Sequence, residues 1–439
     1  MTGDNLPQTT DSQDPQCRFA EEVVRKLVDA GYTALWAGGC VRDLLMGRAP
    51  DDYDVATTAH PDEVRNLFGR RKTLAVGESF GVIIVLGPRE AGQVEVATFR
   101  TEGSYGDGRR PDRVAYATPE EDAQRRDFTI NGMFYNPLTK QVLDYVQGEH
   151  DLHIGIVRAI GDPQARMSED KLRMLRAVRF AATLDFELDP ATAAAVQAMS
   201  TQLSVVSWER IAAELQKMLR HRHRRRAVRL LQQLDLLSQV VPEFTAMLAD
   251  EHDPEWTLTL NILDRLETAR FETAAAAWMR TVPVEVRSRN ETPESGTVEA
   301  ICRRLKLSNQ QRDDIVWLVK NRHALAGADQ FSPARLKRLV NHSLIGELLT
   351  LAQATALAEH RRDVGADFVA DYLRNTPREE IDPPALISGQ DLLALGLQAG
   401  PEFRDWLEAV RDLQLNGEIR SRDEAIEVVQ RLSKSGSTG

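Results

Sequence analysis

Cysteine is scarce in this chain: three in 439 residues, at Cys17, Cys40 and Cys302, far apart and without CxxC spacing. That pattern excludes a zinc ribbon or a disulfide framework and makes a reducing cytoplasm the default compartment. Long apolar runs are missing too. None approaches the roughly 18 residues needed to span a bilayer, so no membrane segment is expected. The opening residues, MTGDNLPQTTDSQDPQ, are too polar and acidic for a secretory signal or transit peptide, and residues 1–17 read as a disordered tail. Net positive charge is absent. The formal charge of -11, taken alone, argues against a nucleic-acid partner. Local patches decide such binding, however, rather than an average over several domains.

What is present is ordinary globular composition, 42% hydrophobic and 28% charged, over a length that suggests about three domains. From Phe19 to Val146 short strands alternate with helices. AEEVVRKLVDAG reads as an amphipathic helix closed by Gly31, TALWAGG as a strand, DYDVAT as the next strand, and PDEVRNLFG as a helix with proline in its first turn. GVIIVLG and QVEVATFR read as paired strands joined by a turn, and MFYNP and QVLDYV as short final strands. After Gly161 helical periodicity takes over, with breaks at Thr281–Thr297 and Pro377–Pro384. The expected fold is an α+β head with a small mixed sheet, followed by an all-α remainder. The expected division is a head over 18–150, a helical neck over 151–220, a helical body over 221–377 and a helical tail domain over 378–439.

The stretch Trp36–Ala56, WAGGCVRDLLMGRAPDDYDVA, concentrates the chemistry. Residues two apart in a strand share a face, so Asp52 and Asp54 would present two carboxylates side by side. Like charges that close raise each other's pKa unless a divalent cation neutralises them. Gly38-Gly39 lets backbone amides approach an anion, at the start of a helix that carries Arg42 and Asp43. Phosphate and metal sites within a few residues of each other are the chemistry of nucleotidyl transfer. In that reading Asp52 and Asp54 bind two Mg2+ ions, while Gly39 and Arg42 hold a triphosphate.

GGCVRD…DDYDVAT resembles the first motif of the class II tRNA nucleotidyltransferase (CCA-adding) and bacterial poly(A) polymerase family, within the polymerase-beta-like nucleotidyltransferase superfamily. RRDFTINGM (Arg125–Met133) is similar to the second motif, whose Arg-Asp pair, here Arg126 and Asp127, contacts the ribose. Val157–Ala181 resembles the hinge and base-reading helix, SWERIAAELQKML the next helical motif, and ISGQDLLALGL…DLQLNGEI the tail of the bacterial tRNA enzymes. The resemblance implies template-independent addition of CMP and AMP, from CTP and ATP, to the 3′ end of tRNA. A-adding enzymes and poly(A) polymerases are the alternatives within the family. A tRNA-binding module with a dead head, and a small-molecule nucleotidyltransferase, are the alternatives outside it.

The resemblance places base reading on Glu169-Asp170-Lys171-Leu172-Arg173. Asp170 and Arg173, three apart, would neighbour one another on one helix face. A carboxylate accepts from an exocyclic amine and a guanidinium donates to the adjacent ring nitrogen, a pattern that cytosine and adenine match and uracil and guanine reverse. Arg176 and Arg179 continue the three-residue spacing and belong to the nucleotide site by resemblance. The row drifts around the helix, so Arg179 should point away from Asp170, toward phosphate or a bracing role.

Glu95 stands where the superfamily often has a third carboxylate; it could complete the metal site or pair with an arginine. The resemblance implies that enzymes adding only CC lack an intact loop at Arg100–Tyr116; here it is full length, with Arg109-Arg110, which argues against a CC-only enzyme. The run Arg220-His221-Arg222-His223-Arg224-Arg225-Arg226, on one or two helical turns, would attract RNA phosphates through its arginines, against the plainer reading of a solvated helix face. His252-Asp253 has no second His-Asp to complete a metal-dependent phosphohydrolase site, so that activity is not expected.

Overall fold

The computed structural model describes residues 14–77, 81–102, 114–248, 250, 253–284 and 297–435. They form two compact units, 1–246 and 247–439.

The first unit is built on a sheet. Helix α1 (Pro15–Asp29) is capped by Asp14, whose carboxylate accepts from the Gln16 and Cys17 amides at 3.0 and 3.2 Å. It starts inside the stretch expected to be a tail, because this Asp-Pro pair is itself a helix-start signal. Strand β1 (Ala34–Ala37), helix α2 (Gly39–Leu45), strand β2 (Asp54–Thr57) and helix α3 (Pro61–Phe68) follow. Then come β3 (Thr73–Gly77), β4 (Val82–Leu86) and β5 (Gln93–Thr98). A two-stranded ribbon, β6 (Arg100–Glu102) with β7 (Val114–Tyr116), leads to α4 (Pro119–Gln124), and β8 (Phe134–Asn136) and β9 (Gln141–Leu143) complete the sheet. Its order is β3-β4-β5-β2-β1-β8-β9, antiparallel except for β2 beside β5.

That one parallel pairing positions the chemistry. Its register sets Asp54 beside Glu95 and Val55 beside Val96. Val55 and Val96 belong to the core that α1 covers with Val23, Val24 and Leu27. Side chains alternate along a strand, so Asp54 shares the opposite face with Ala56, beside Ala37 and Phe134 in a second, smaller core.

Helices complete this unit: α5 (Gly148–Ile154), α6 (Pro163–Glu169), α7 (Arg173–Leu184), α8 (Pro190–Met199), α9 (Trp208–Arg220) and α10 (Arg224–Gln233). Two runs within the helical region are interrupted. SEDKLRMLRAVRFAATL breaks at Asp170, whose backbone is extended (φ -143°, ψ 108°) and whose carboxylate accepts from the Leu172 amide at 3.0 Å. This local side-chain turn competes with the helix and wins. RAVRLLQQLDLLSQVV breaks at Asp235, which sits in the left-handed region (φ 57°).

The elements of the second unit are all helices among its described residues. Helix 271–278 is buried on every side, its Ala274–Ala277 run letting neighbours approach closely. A separate core near the C-terminus gathers Ile387, Leu392, Val410, Ile419 and Val429. Among the described residues no helix is long and apolar enough to cross a membrane. Gly365 is the tightest packing point: a Cβ there would lie 1.9 Å from the Leu325 carbonyl oxygen. Gly365→Ala should therefore destabilise the protein by about 2 kcal/mol or more, measured by urea unfolding; an unchanged midpoint would show that this contact relaxes freely.

Candidate active site

A cleft of about 840 Å³ opens over the carboxylate-bearing face of the sheet. Lining it are Gly38, Gly39, Arg42, Asp52, Asp54, Glu95, Arg126, Asp127, Asp170, Arg173, Arg176 and Arg179, so every candidate of the nucleotide and metal sites except Asp43 reaches it. Among the described residues its walls carry nine Arg or Lys side chains against five carboxylates. A chain of net charge -11 thus concentrates positive charge where a polyanionic substrate would bind.

Asp52 is exposed just ahead of β2, Asp54 is half-buried at its first residue, and Glu95 is exposed on β5. Burial, then the charges of Asp52 and Glu95, push the Asp54 carboxyl up to about 7, with Arg126 opposing. Among the described residues no hydrogen bond or ion pair engages these three carboxylates, and no three His, Cys, Asp or Glu side chains form a closed metal cage. An open set of hard oxygen donors fits Mg2+, which takes one or two carboxylates, keeps several waters and completes its shell with substrate phosphates.

Gly38 has φ 76° and ψ -128°, a conformation that side chains other than glycine's scarcely adopt, and a Cβ there would meet the Arg126 guanidinium at 3.2 Å. Its own amide donates to the Met133 carbonyl at 3.4 Å. The amides left for a phosphate are those of the first turn of α2, beginning with Gly39. Arg42 is held from two sides. Asp43 accepts from its Nε and Nη2, both at 3.0 Å, and Asn131 Oδ1 accepts from its Nη1 at 2.8 Å. Asp43 therefore orients Arg42 and does not itself face the cleft.

Helix α4 delivers the next pair. Thr118 and Glu121 cap its start reciprocally, and Asp122 on its inner side is nearly fully buried. Burial would raise the Asp122 carboxyl, but Arg126 and Arg125 hold it below the usual range. Arg126 donates to Asp122 through Nε (3.1 Å) and Nη2 (3.0 Å), and to the Asn131 carbonyl through Nη1 (3.2 Å). Asp127 is buried, which opposes its charge, yet Arg176 keeps it ionised and draws it down to about 2, with help from Arg173 and Asn131. Its Oδ2 accepts from Arg176 Nε at 2.7 Å and lies 2.6 Å from Nη2.

At Glu169–Arg173, the segment expected to read the base, the arrangement differs from the one expected. Asp170 and Arg173 do not share a helix face, since Asp170 ends α6 and Arg173 begins α7. Each is anchored separately. Arg210 on α9 donates to both Asp170 oxygens, Nη1 at 3.2 Å and Nη2 at 2.6 Å. Arg173 donates to Glu169, to the Arg166 carbonyl (2.9 Å) and to the Arg125 carbonyl (3.0 Å). Arg179 pairs with buried Glu214 at 2.5 Å and stacks on Phe180 at 4.0 Å.

The basic run is not one helical patch. Helix α9 ends at Arg220, and α10 begins at Arg224. Arg224 is buried, and Arg226 is bound to Asp185 and Glu187 at 2.7 and 2.6 Å, so neither is a surface cation open to RNA phosphates. Arg220 and Arg222 are exposed, and Arg225 is half-exposed. Arg109-Arg110 and His252 lie outside the described residues.

Asn131, Arg210 and Glu214 were not singled out from sequence. The signal for the last two was present, since residues four apart on α9 share a face. Asn131 offered only its place inside RRDFTINGM.

An acidic pair at a strand start, a glycine turn into a short helix and a cationic cleft define a nucleotidyltransferase-type enzyme. Residues 34–158 match the family model described as the poly A polymerase head domain, and 185–248 the one described as the probable RNA and SrmB-binding site of polymerase A. The CCA-adding enzyme of Pediococcus pentosaceus is 30% identical over 421 residues, covering 94% of this chain and 98% of its own. Poly(A) polymerase I of Haemophilus influenzae is 37% identical over 248 residues, 54% of each chain. The structure of the Bacillus stearothermophilus CCA-adding enzyme in complex with CTP shares the fold, with a TM-score of 0.75 at 24% identity over 97% of this chain and 100% of that one. The chain belongs to the CCA-adding enzyme and bacterial poly(A) polymerase family.

The raised Asp54 pKa carries a sign. A carboxyl that holds its proton more tightly folded than unfolded stabilises the fold below its unfolded value of 3.8, and that contribution is lost as pH rises through about 7. With metal chelated, Asp54→Asn should raise the melting temperature at pH 8 and make little difference at pH 4. A lower melting temperature at pH 8 would contradict the charge crowding.

Proposed function

We propose that this enzyme builds or repairs the 3′-CCA end of tRNA, adding CMP and AMP from CTP and ATP without a nucleic-acid template and releasing pyrophosphate. The observation that carries this reading is the pair of separately anchored base-edge groups, Asp170 and Arg173, in the same cleft as the Asp52 and Asp54 carboxylates. Asp170 has three of its roughly four acceptor positions filled, by Leu172 and Arg210. Its remaining lone pair suits an exocyclic amine. Arg173 keeps its Nε–H and one Nη2–H beside it for the neighbouring ring nitrogen. Cytosine and adenine fit; uracil and guanine leave buried groups unpaired, at roughly 1–3 kcal/mol each.

The same geometry supports the remaining roles. Arg42, braced by Asp43 and Asn131, presents its other N–H groups to the triphosphate, and Arg126, braced by Asp122, faces the ribose. The 3′-hydroxyl of tRNA attacks the α-phosphate, and positioning of the two reactants supplies much of the rate. Asp52 and Asp54, with Glu95 alongside, would hold two Mg2+ ions; when bound, these activate the hydroxyl and offset charge on the phosphates. The full-length relationship to a CCA-adding enzyme supports this over poly(A) synthesis, where the similarity covers about half of each chain.

Purified protein should extend tRNAs ending before CCA, after C and after CC, each with its cognate nucleotide. Extension of the CC-ended tRNA alone would identify an A-adding enzyme, and a long A ladder on any RNA a poly(A) polymerase. Asp52→Ala and Asp54→Ala should abolish turnover while tRNA binding persists; retained turnover would overturn the metal assignment. Arg173→Ala should relax rejection of UTP about tenfold or more, read from competing incorporation of CTP and UTP. Unchanged rejection would count against the base-edge reading.

A further inference from the structure

Asn131 is buried at the end of a short helical turn (Thr129–Asn131), and three groups of the nucleotide site meet on it. Its Oδ1 accepts from Arg42 Nη1 at 2.8 Å, its Nδ2 donates to Asp127 Oδ1 at 3.2 Å, and its backbone carbonyl accepts from Arg126 Nη1 at 3.2 Å. The amide orientation is forced, because a guanidinium can only donate and an ionised carboxylate can only accept. Asparagine carries an acceptor and a donor on one short, uncharged side chain. Aspartate here would set two carboxylates against each other.

Asp127 leaves little capacity for a ligand. Its Oδ1 takes the Phe128 amide (2.8 Å) and Asn131, and its Oδ2 takes both Arg176 contacts, which fills about four acceptor positions. Arg126 is different: two donors go to Asp122 and one to the Asn131 carbonyl, which leaves two N–H groups unspent.

We infer that Asn131 is a positioning residue that couples the phosphate-holding arginine to the sugar-reading arginine, so that triphosphate and ribose are recognised cooperatively. Arg126 makes the contact to the 2′-hydroxyl, and Asp127 anchors the network to Arg176. This rests on the nucleotidyltransferase reading above. It adds that sugar selectivity depends on a residue that touches neither sugar nor phosphate.

The test compares ATP with dATP on a CC-ended tRNA, using the full-length chain as wild type, Asn131→Ala and Asn131→Asp, assayed below each variant's melting temperature. The expected result is that the kcat/KM preference for ATP over dATP falls about tenfold or more in both variants, mostly through KM for ATP, while the preference for ATP over UTP holds. A loss shared equally by ATP and dATP, with the preference intact, would reduce Asn131 to a structural residue and overturn the coupling. A second arm needs neither variant nor turnover. On wild-type protein, losing the 2′-hydroxyl should weaken binding at least about fivefold more in ATP than in adenosine, since only the triphosphate engages Arg42. Equal penalties in the two contexts would overturn the coupling. Because this arm measures binding alone, it still decides the question if the protein extends no tRNA, an outcome that would sink the functional reading instead.

Discussion

The ion pair between Asp127 and Arg176 is the interaction on which the site depends. It joins a residue that follows α4, packed against the sheet, to the helix that begins at Arg173. Asp127 is buried and Arg176 half-buried, so a lone carboxylate there would be costly and a well-bonded pair repays much of that cost. Asp127 is drawn to about 2, so the pair stays charged across the working range of pH. From it the network runs one way through Asn131 to Arg42 and Arg126. In the other direction α7 carries Arg179 to Glu214, while Arg210 on the same helix as Glu214 returns to Asp170. Phosphate, sugar and base would therefore be read by groups that share a single frame.

That frame also separates two kinds of charge. Around Asp54 burial and the crowding of Asp52 and Glu95 outweigh the opposing charge of Arg126, and the cost is a carboxyl raised to about 7. A few residues away, arginines are each tied to a carboxylate or carbonyl before any substrate arrives. Tied arginines lose less freedom on binding and keep their remaining N–H groups aimed. The acidic set suits a hard cation that arrives with the triphosphate; the basic set suits the anion itself.

Much of the head was legible in the sequence. The strands around Ile83 and Val96 alternate as half-buried strands should, those around Trp36 and Val55 are short runs buried on both faces, and the glycine turn before Arg42 is a local signal. The parallel register that brings Glu95 to Asp54 is not local, so its neighbour remained open. The base-reading segment failed as a single helix because Asp170 bonds its own backbone two residues on, and because Arg210, forty residues away, holds it there. Propensity and spacing carry no information about such a partner. The basic run holds only in part as a surface patch: Arg220 and Arg222 are exposed, but Arg224 turns inward and Arg226 is taken up by Asp185 and Glu187.

The central claim is that one cleft, without a nucleic-acid template, recognises both cytosine and adenine and rejects uracil and guanine. Equilibrium competition in the absence of tRNA tests it most directly, by titrating labelled ATP with unlabelled CTP, UTP and GTP in the presence of Mg2+. One nucleotide should bind per chain, CTP should displace ATP fully, and UTP or GTP should displace it only at concentrations at least about tenfold higher. Simultaneous binding of ATP and CTP, or equal displacement by all four nucleotides, would contradict it.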